Sequence, residues 1–393
     1  MSLPLTTTYN FETSHNWRAL HSSKWSYFPE DVLPMWVADM DFTSPPAVVQ
    51  ALTERVAAGY FAYTLDYPPL KEAVVERMAR LYAWHISPED VLLIPGMVVA
   101  LNLVARAIGK PGDAILSETP VYGPFLSVPR HNAKFARTVD LRYVPLEGQA
   151  FTYRTDWDAL EAAFSPQTSL YFLCNPHNPG GFCYARADLE RLAALCLKHK
   201  TVICADEIHS DLLLDPQAQH IPIATLSPEV AQNTITLIAP SKTYNLPSLG
   251  CSIAIIPNPE LRRAVAEVMQ GMGLHVNVLG AVAGEAAYRS GDDWLKAVLT
   301  YLRANRDHLV DFVLQHLPQL RITVPQATYL AWLDCRNLAI DGDAHSVFLK
   351  RARVAVNPGT FFGSAGTGFV RLNFACSRAT LDEALERLRA ALA

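Results

Sequence analysis

Between about residues 90 and 256 the chain alternates short β-rich runs with helical patterns, and few folds accept that order. The runs are 91–94, 114–117, 170–174, 201–205, 234–239 and 251–256. Strands separated by helices argue for an α/β fold with a large, mainly parallel α/β/α sheet domain covered by helices. Beyond the helical stretch around 261–290 the order changes. Helices near 294–316, strands near 321–324 and 329–333, and a closing helix over 381–392 predict a smaller α+β domain. The expected division is therefore 1–45 as an N-terminal arm and part of the small domain, 46–290 as the large domain and 291–393 as the small domain. No internal repeat, low-complexity run or long linker interrupts it.

The chemistry-bearing residues stand where the predicted strands end, which is where open α/β sheets place their ligands. The run 201–205 is apolar and β-branched and stops at Asp206-Glu207-Ile208-His209. The run 170–174 stops at Asn175-Pro176-His177-Asn178-Pro179-Gly180-Gly181, where two Asn-Pro steps and a Gly pair force a turn. The run 234–239 stops at Pro240-Ser241-Lys242-Thr243-Tyr244-Asn245, and a lysine in that setting has the context of one that forms a Schiff base. Were Lys242 to hold pyridoxal phosphate, the chain would need three further parts. These are a carboxylate for the ring nitrogen, donors for the phosphate and a cation for the substrate carboxylate. Asp206 is the candidate carboxylate, or with Glu207 a plain helix cap. Arg371, in an apolar strand-like run, suits a bidentate grip on a carboxylate, or else a structural ion pair. Asn175 is a candidate amide donor, or a turn-forming Asn bonded to its own backbone.

Taken in order, these three motifs resemble the class I/II aminotransferase superfamily of pyridoxal-phosphate fold type I, and most of all its cystathionine β-lyase, or C-S lyase, branch. Ser23-Lys24-Trp25, Leu33-Pro34-Met35-Trp36-Val37-Ala38-Asp39-Met40-Asp41-Phe42, Phe61-Ala62-Tyr63 and Val370-Arg371-Leu372-Asn373-Phe374-Ala375 look like the same branch, so the resemblance spans nearly the whole chain. It implies pyridoxal 5'-phosphate on Lys242, which would also take the substrate Cα proton. Asp206 would bind the ring nitrogen, Asn175 the ring oxygen, and Tyr122 would stack on the ring face. Backbone N–H groups of Met97 and Val98, after Gly96 at a helix start, would meet the phosphate, helped by Ser241. Tyr63 would reach across a homodimer interface to the neighbouring phosphate. Arg371, Asn175 and Ala38 would hold the substrate. The plain readings of Tyr122 and Gly96 are a core tyrosine and a strand-to-helix turn.

Two positions depart from the wider superfamily. Ala239 and Gly250 stand where many members carry a hydroxyl residue and an arginine on the phosphate. His209 stands where many aminotransferases have a tyrosine, and it is read as a mark of the lyase branch with no catalytic role. The implied activity is β-elimination from cystathionine or related S-substituted L-cysteines to a thiol, pyruvate and ammonia. The alternatives are amino transfer to a 2-oxo acid and a pyridoxal-binding regulatory protein.

Composition excludes other classes. Half of the 393 residues are hydrophobic and 18% are charged, as a folded globular chain requires, and the net charge is only −5. No basic cluster points to nucleic acid, no apolar run spans a bilayer and no signal peptide opens the chain. Seven cysteines without a Cys-x-x-Cys pair read as reduced, buried thiols, so a cytoplasmic setting is expected, and no His-Glu-x-x-His pattern indicates a metal. The glycines of 363–368 precede a strand and read as a turn leading to Arg371, not as a nucleotide loop.

Overall fold

The structure is a computed structural model, and it describes residues 9–13, 15–64, 66–340 and 342–393. The first eight residues of the expected arm lie outside the described residues. All six predicted strands of the 90–256 region form, and they assemble into one seven-stranded sheet. Its order is Val91–Ile94, Ser252–Ile255, Thr234–Ile238, Val202–Asp206, Thr168–Cys174, Ala114–Thr119 and Phe135–Asp140. Only Ser252–Ile255 runs against the rest. Strand Thr168–Cys174 shows why the sheet is covered twice. Leu170 and Phe172 pack with helices Met97–Ala107 and Pro124–His131 on one face, while Tyr171 and Leu173 pack with helix Arg186–Lys198 on the other. Continuous apolar runs are what strands buried on both faces demand.

A second, six-stranded sheet has the order Asn357–Pro358, Phe369–Asn373, Leu330–Asp334, Arg321–Thr323, Ala150–Arg154 and Arg142–Pro145. Its last two strands come from the middle of the chain. Ala150–Arg154 pairs in parallel with Arg321–Thr323, so residues 142–154 leave the first sheet and complete the second. The pin is aromatic. Trp332 is fully buried, stacks on Phe369 at 5.2 Å and donates its indole N–H to the Tyr153 hydroxyl at 3.0 Å.

The region read as one helical stretch over 261–290 is two helices, Pro259–Gly271 and Val278–Ser290, each started by an asparagine cap at Asn258 and Asn277. The 25-residue helix Asp292–His316 and the closing helix Arg378–Leu392 follow. The arm is tied to the C-terminal part of the chain. Leu33–Pro34 pairs with Val354–Ala355, Asn373 donates its N–H to the Met35 carbonyl, and Asp41 donates to the Ala375 carbonyl. No described helix is long and apolar enough to cross a membrane.

Candidate active site

Three neighbouring parallel strands deliver three polar side chains to one edge of the first sheet. Cys174 sits opposite Asp206, and Asp206 opposite Leu237, so Asn175, Asp206 and the Pro240–Thr243 turn of helix carrying Lys242 emerge side by side. On the far side of the reversed strand, Gly96 ends Val91–Ile94. It adopts φ +116°, a conformation open to glycine, and helix Met97–Ala107 starts from it with free N–H groups in its first turn. The helix begins directly after Gly96, so Met97 and Val98 fall in its first turn. Tyr122 follows strand Ala114–Thr119.

These elements surround a cavity of about 340 Å³. Lys242, Asp206, Tyr122, Ser241, Gly96, Met97, Val98, Ala38, Arg371 and His209 all line it. Asn175 lies just behind the wall: its N–H donates to the Asp206 carbonyl at 3.1 Å and its Oδ1 accepts the Tyr184 N–H at 3.1 Å. Its Nδ2 is buried with no acceptor. Tyr63 is not brought to this cavity within the chain. It is 90% exposed, with its ring 6.3 Å from that of His275.

Burial sets the charges. Lys242 is pushed down to about 8, first by desolvation; Asp39 and Asp206 oppose this and Arg371 adds to it. Its ammonium donates to the Ala38 carbonyl at 2.5 Å. Asp206 is pushed up to about 7 by desolvation, against the Ile208 N–H that reaches its Oδ1 at 3.2 Å and the nearby Lys242. The segment after Asp206 is a turn and not a helix, so Asp206 and Glu207 cap nothing. Glu207 instead accepts from the Ile223 N–H at 3.2 Å and meets His220 Nε2 at 2.9 Å.

Arg371 is 3% exposed, and its bonding partners are all neutral: Asn178 Oδ1 at 3.0 Å, the Trp36 carbonyl at 2.9 Å and Asn357 Oδ1 at 2.7 Å. No described Asp or Glu pairs with it, and burial pulls it down to about 10. Among the described residues Arg371 therefore forms no ion pair; it is a buried guanidinium held by neutral acceptors. Asn178 and Asn357, which aim it, were not singled out in the sequence. Asn178 could have been, since it belongs to the Asn175–Gly180 turn, but Asn357 lies in a two-residue strand with no pattern of its own. His209 is buried and pushed down to about 3, first by desolvation. Among the described residues, no cluster of His, Cys, Asp or Glu could hold a metal.

The donor set could hold a phosphorylated pyridine aldehyde. An unpartnered amide, Asn175 Nδ2, is available to a ring oxygen, and a buried carboxylate without a cation at contact is available to a ring nitrogen. A helix start without a side-chain cap is available to the phosphate.

The chain is similar to known proteins over nearly its whole length. The chain is 38% identical to cystathionine beta-lyase PatB of Bacillus subtilis, over 98% of this chain and 100% of that protein. Cystalysin from Treponema denticola, whose crystal structure contains pyridoxal 5'-phosphate, superposes with a TM-score of 0.92 at 30% identity, over 98% of this chain and 99% of that one. A PLP-bound C-S lyase from Staphylococcus hominis superposes with a TM-score of 0.90 at 29% identity, with the same coverage of 98% and 99%. Residues 30–388 match the family model of aminotransferase class I and II, and the chain belongs to that family.

Proposed function

We propose that this protein is a pyridoxal-phosphate-dependent C–S β-lyase that converts cystathionine or a related S-substituted L-cysteine, with water, to a thiol, pyruvate and ammonia. One observation carries the reading: a buried guanidinium without an acidic partner among the described residues shares a single cavity with a half-buried amine and a buried carboxylate. Those are the groups that an amino acid's carboxylate, a carbonyl cofactor and its ring nitrogen require. The names of the relatives, cystathionine beta-lyase and C-S lyase, support the reaction type.

In this reading Lys242 holds the cofactor, Asp206 its ring nitrogen, Asn175 Nδ2 its ring oxygen, and Tyr122 covers the ring face. The N–H groups of Met97 and Val98, with Ser241, take the phosphate, and Tyr63 of a second copy completes that site in a homodimer. The expected division at residues 45 and 290 stands in the same reading, with residues 142–154 lent to the small domain. All seven cysteines are unpaired, in keeping with the cytoplasm.

Bound there, the cofactor supplies a protonated ring that draws electron density from the substrate Cα. Arg371 receives the α-carboxylate, and the cluster Asn178, Asn357 and Trp36 keeps the guanidinium plane fixed while it does so. Lys242, held near 8, carries a substantial neutral fraction at ordinary pH and takes the Cα proton. The electron pair freed from the C–H bond closes the Cα–Cβ double bond as the Cβ–S bond breaks, and the sulfur leaves as thiolate. Water converts the remaining enamine to pyruvate and ammonia. Asp206 keeps the ring nitrogen protonated, because a cation beside a carboxylate lowers the carboxylate's pKa and raises its own.

Pyruvate release from L-cystathionine without any 2-oxo acid tests this reading. Equimolar pyruvate and thiol are expected. No pyruvate, with amino transfer once a 2-oxo acid is added, would replace the lyase with an aminotransferase while leaving the cofactor site intact.

A further inference from the structure

Residues 36–42 of the arm form a strap across the cavity. Asn245, three residues after the catalytic lysine, accepts the Met40 N–H at 3.0 Å and donates to the Met40 and Phe42 carbonyls at 2.9 and 2.8 Å. Asn373, two residues after Arg371, donates to the Val37 and Asp39 carbonyls at 2.5 and 2.7 Å. At the centre of the strap the Ala38 carbonyl accepts both the Lys242 ammonium at 2.5 Å and the Tyr329 hydroxyl at 3.0 Å.

The next residue along is Asp39, and its carboxylate is part of a charge cluster that the site residues leave unexplained. Lys24 is 1% exposed and lies 3.4 Å from Asp39 Oδ1 and 3.0 Å from Asp41 Oδ1. The contact to Asp41 is the tighter one, while Asp39 Oδ1 is buried without a directed donor. Two carboxylates share one ammonium, a formal excess of one negative charge, with burial raising the Asp41 carboxyl against the pull of Lys24; Asp39 is the residue next to the carbonyl holding Lys242.

We infer that Asp39 is a positioning residue for Lys242: with Lys24 securing it, its carboxylate supplies a fixed negative charge that holds the lysine amine at the Ala38 carbonyl. The inference rests on the reading of Lys242 as the base. Among the groups facing Lys242, two acids attract it, Asp39 and Asp206. Arg371 repels the ammonium, His209 is neutral, and burial keeps the phenols of Tyr122 and Tyr329 protonated. Asp206 attracts it, but in the loaded protein that carboxylate is paired with the ring nitrogen. Of the two acids in the chain that attract it, Asp39 is then the one without that partner.

The test compares Asp39→Asn, Asp39→Glu and Asp41→Asn with the parent, all as full-length protein. One readout is the pH dependence of Lys242 acylation before cofactor is added, followed on the Lys242 peptide by mass spectrometry. The second is the pH midpoint of the absorption change of the cofactor-loaded protein. In Asp39→Asn both midpoints fall, by about one pH unit, the lower end of what a close opposite charge does. Asp39→Glu keeps the charge and restores the parent midpoint. Asp41→Asn leaves Lys24 wholly to Asp39 and shifts the midpoint down by less, which keeps a reading available should Asp39→Asn fail to fold. A lowered melting temperature with unmoved midpoints in the Asn variants, or midpoints that rise, would overturn the inference. Because the acylation readout uses no cofactor and no substrate, it stands even if the β-lyase reading fails.

Discussion

Replacing Arg371 with methionine separates a binding cation from a structural one. The guanidinium is 3% exposed and rests on three neutral acceptors at 2.7–3.0 Å. A substrate carboxylate gripped by both prongs would gain two charge-assisted hydrogen bonds, each contributing about 1.5–3 kcal/mol. Their loss removes about 3–6 kcal/mol from transition-state binding, or roughly a hundredfold to ten-thousandfold in kcat/KM. Stability responds differently. No described acid pairs with Arg371, so the substitution strips no ion-pair partner and removes a desolvated charge that burial already pulls down to about 10. Its acceptors border a cavity of about 340 Å³ that water can enter. The expected result is therefore a large fall in kcat/KM with a melting temperature at or above that of the parent. The assay pairs steady-state kinetics on an S-substituted L-cysteine with thermal unfolding of the same preparations. Unfolding of the variant, or a kcat/KM within about threefold of the parent, would refute the reasoning.

Three further outcomes follow from individual contacts. Asp206 is held near 7 in the fold against an ordinary 3.8, so the unfolded chain gives up this proton first. Its stabilising share is complete below about pH 4 and disappears as the pH rises through 7, a loss of roughly 4 kcal/mol. In the cofactor-free protein, denaturant melts at pH 5 and 8 should show about 2–3 kcal/mol of that decline, Asp206→Asn should lack it, and equal slopes for both would contradict the assignment. Trp332→Ala empties a fully buried indole site and unpairs Tyr153, so urea unfolding should register a loss of about 3–5 kcal/mol; a loss below about 1 kcal/mol would mean that the hairpin of residues 142–154 is not pinned there. Gly359→Ala would set a methyl group on the Gly366 carbonyl oxygen, which is backbone and cannot swing aside. Its melting temperature should drop by several degrees, and an unchanged value would show that this turn can move.

The parts of the site that could be read from the chain are those where one local pattern carries the meaning. Asn175, Asp206 and Lys242 each follow a continuous apolar run, and such runs could only become neighbouring buried strands whose ends coincide. The 142–154 hairpin shows the limit of that logic. Tyr143, Phe151 and Tyr153 have the character of strand residues, but nothing local says that their partner is Arg321–Thr323 instead of the nearby Phe135–Asp140. Arg371 could be singled out as a candidate carboxylate ligand, yet its aim depends on Asn357 and on a Trp36 carbonyl 335 residues away in sequence. Hydrogen bonds to backbone carbonyls leave no side-chain signature, and for the same reason the strap of residues 36–42 became visible only in three dimensions. Tyr63 is a different case, because its proposed partner belongs to a second copy of the chain and its exposure is all that one copy can display.

The most direct test of the whole account is to find where the cofactor attaches. Protein purified with pyridoxal phosphate would be reduced with borohydride, digested and mapped by mass spectrometry, with Lys242→Ala treated in parallel. The account predicts one pyridoxyl-phosphate adduct per chain, on Lys242, absent from the variant. An adduct on another lysine, or one that persists in Lys242→Ala at the parent's level, would contradict it.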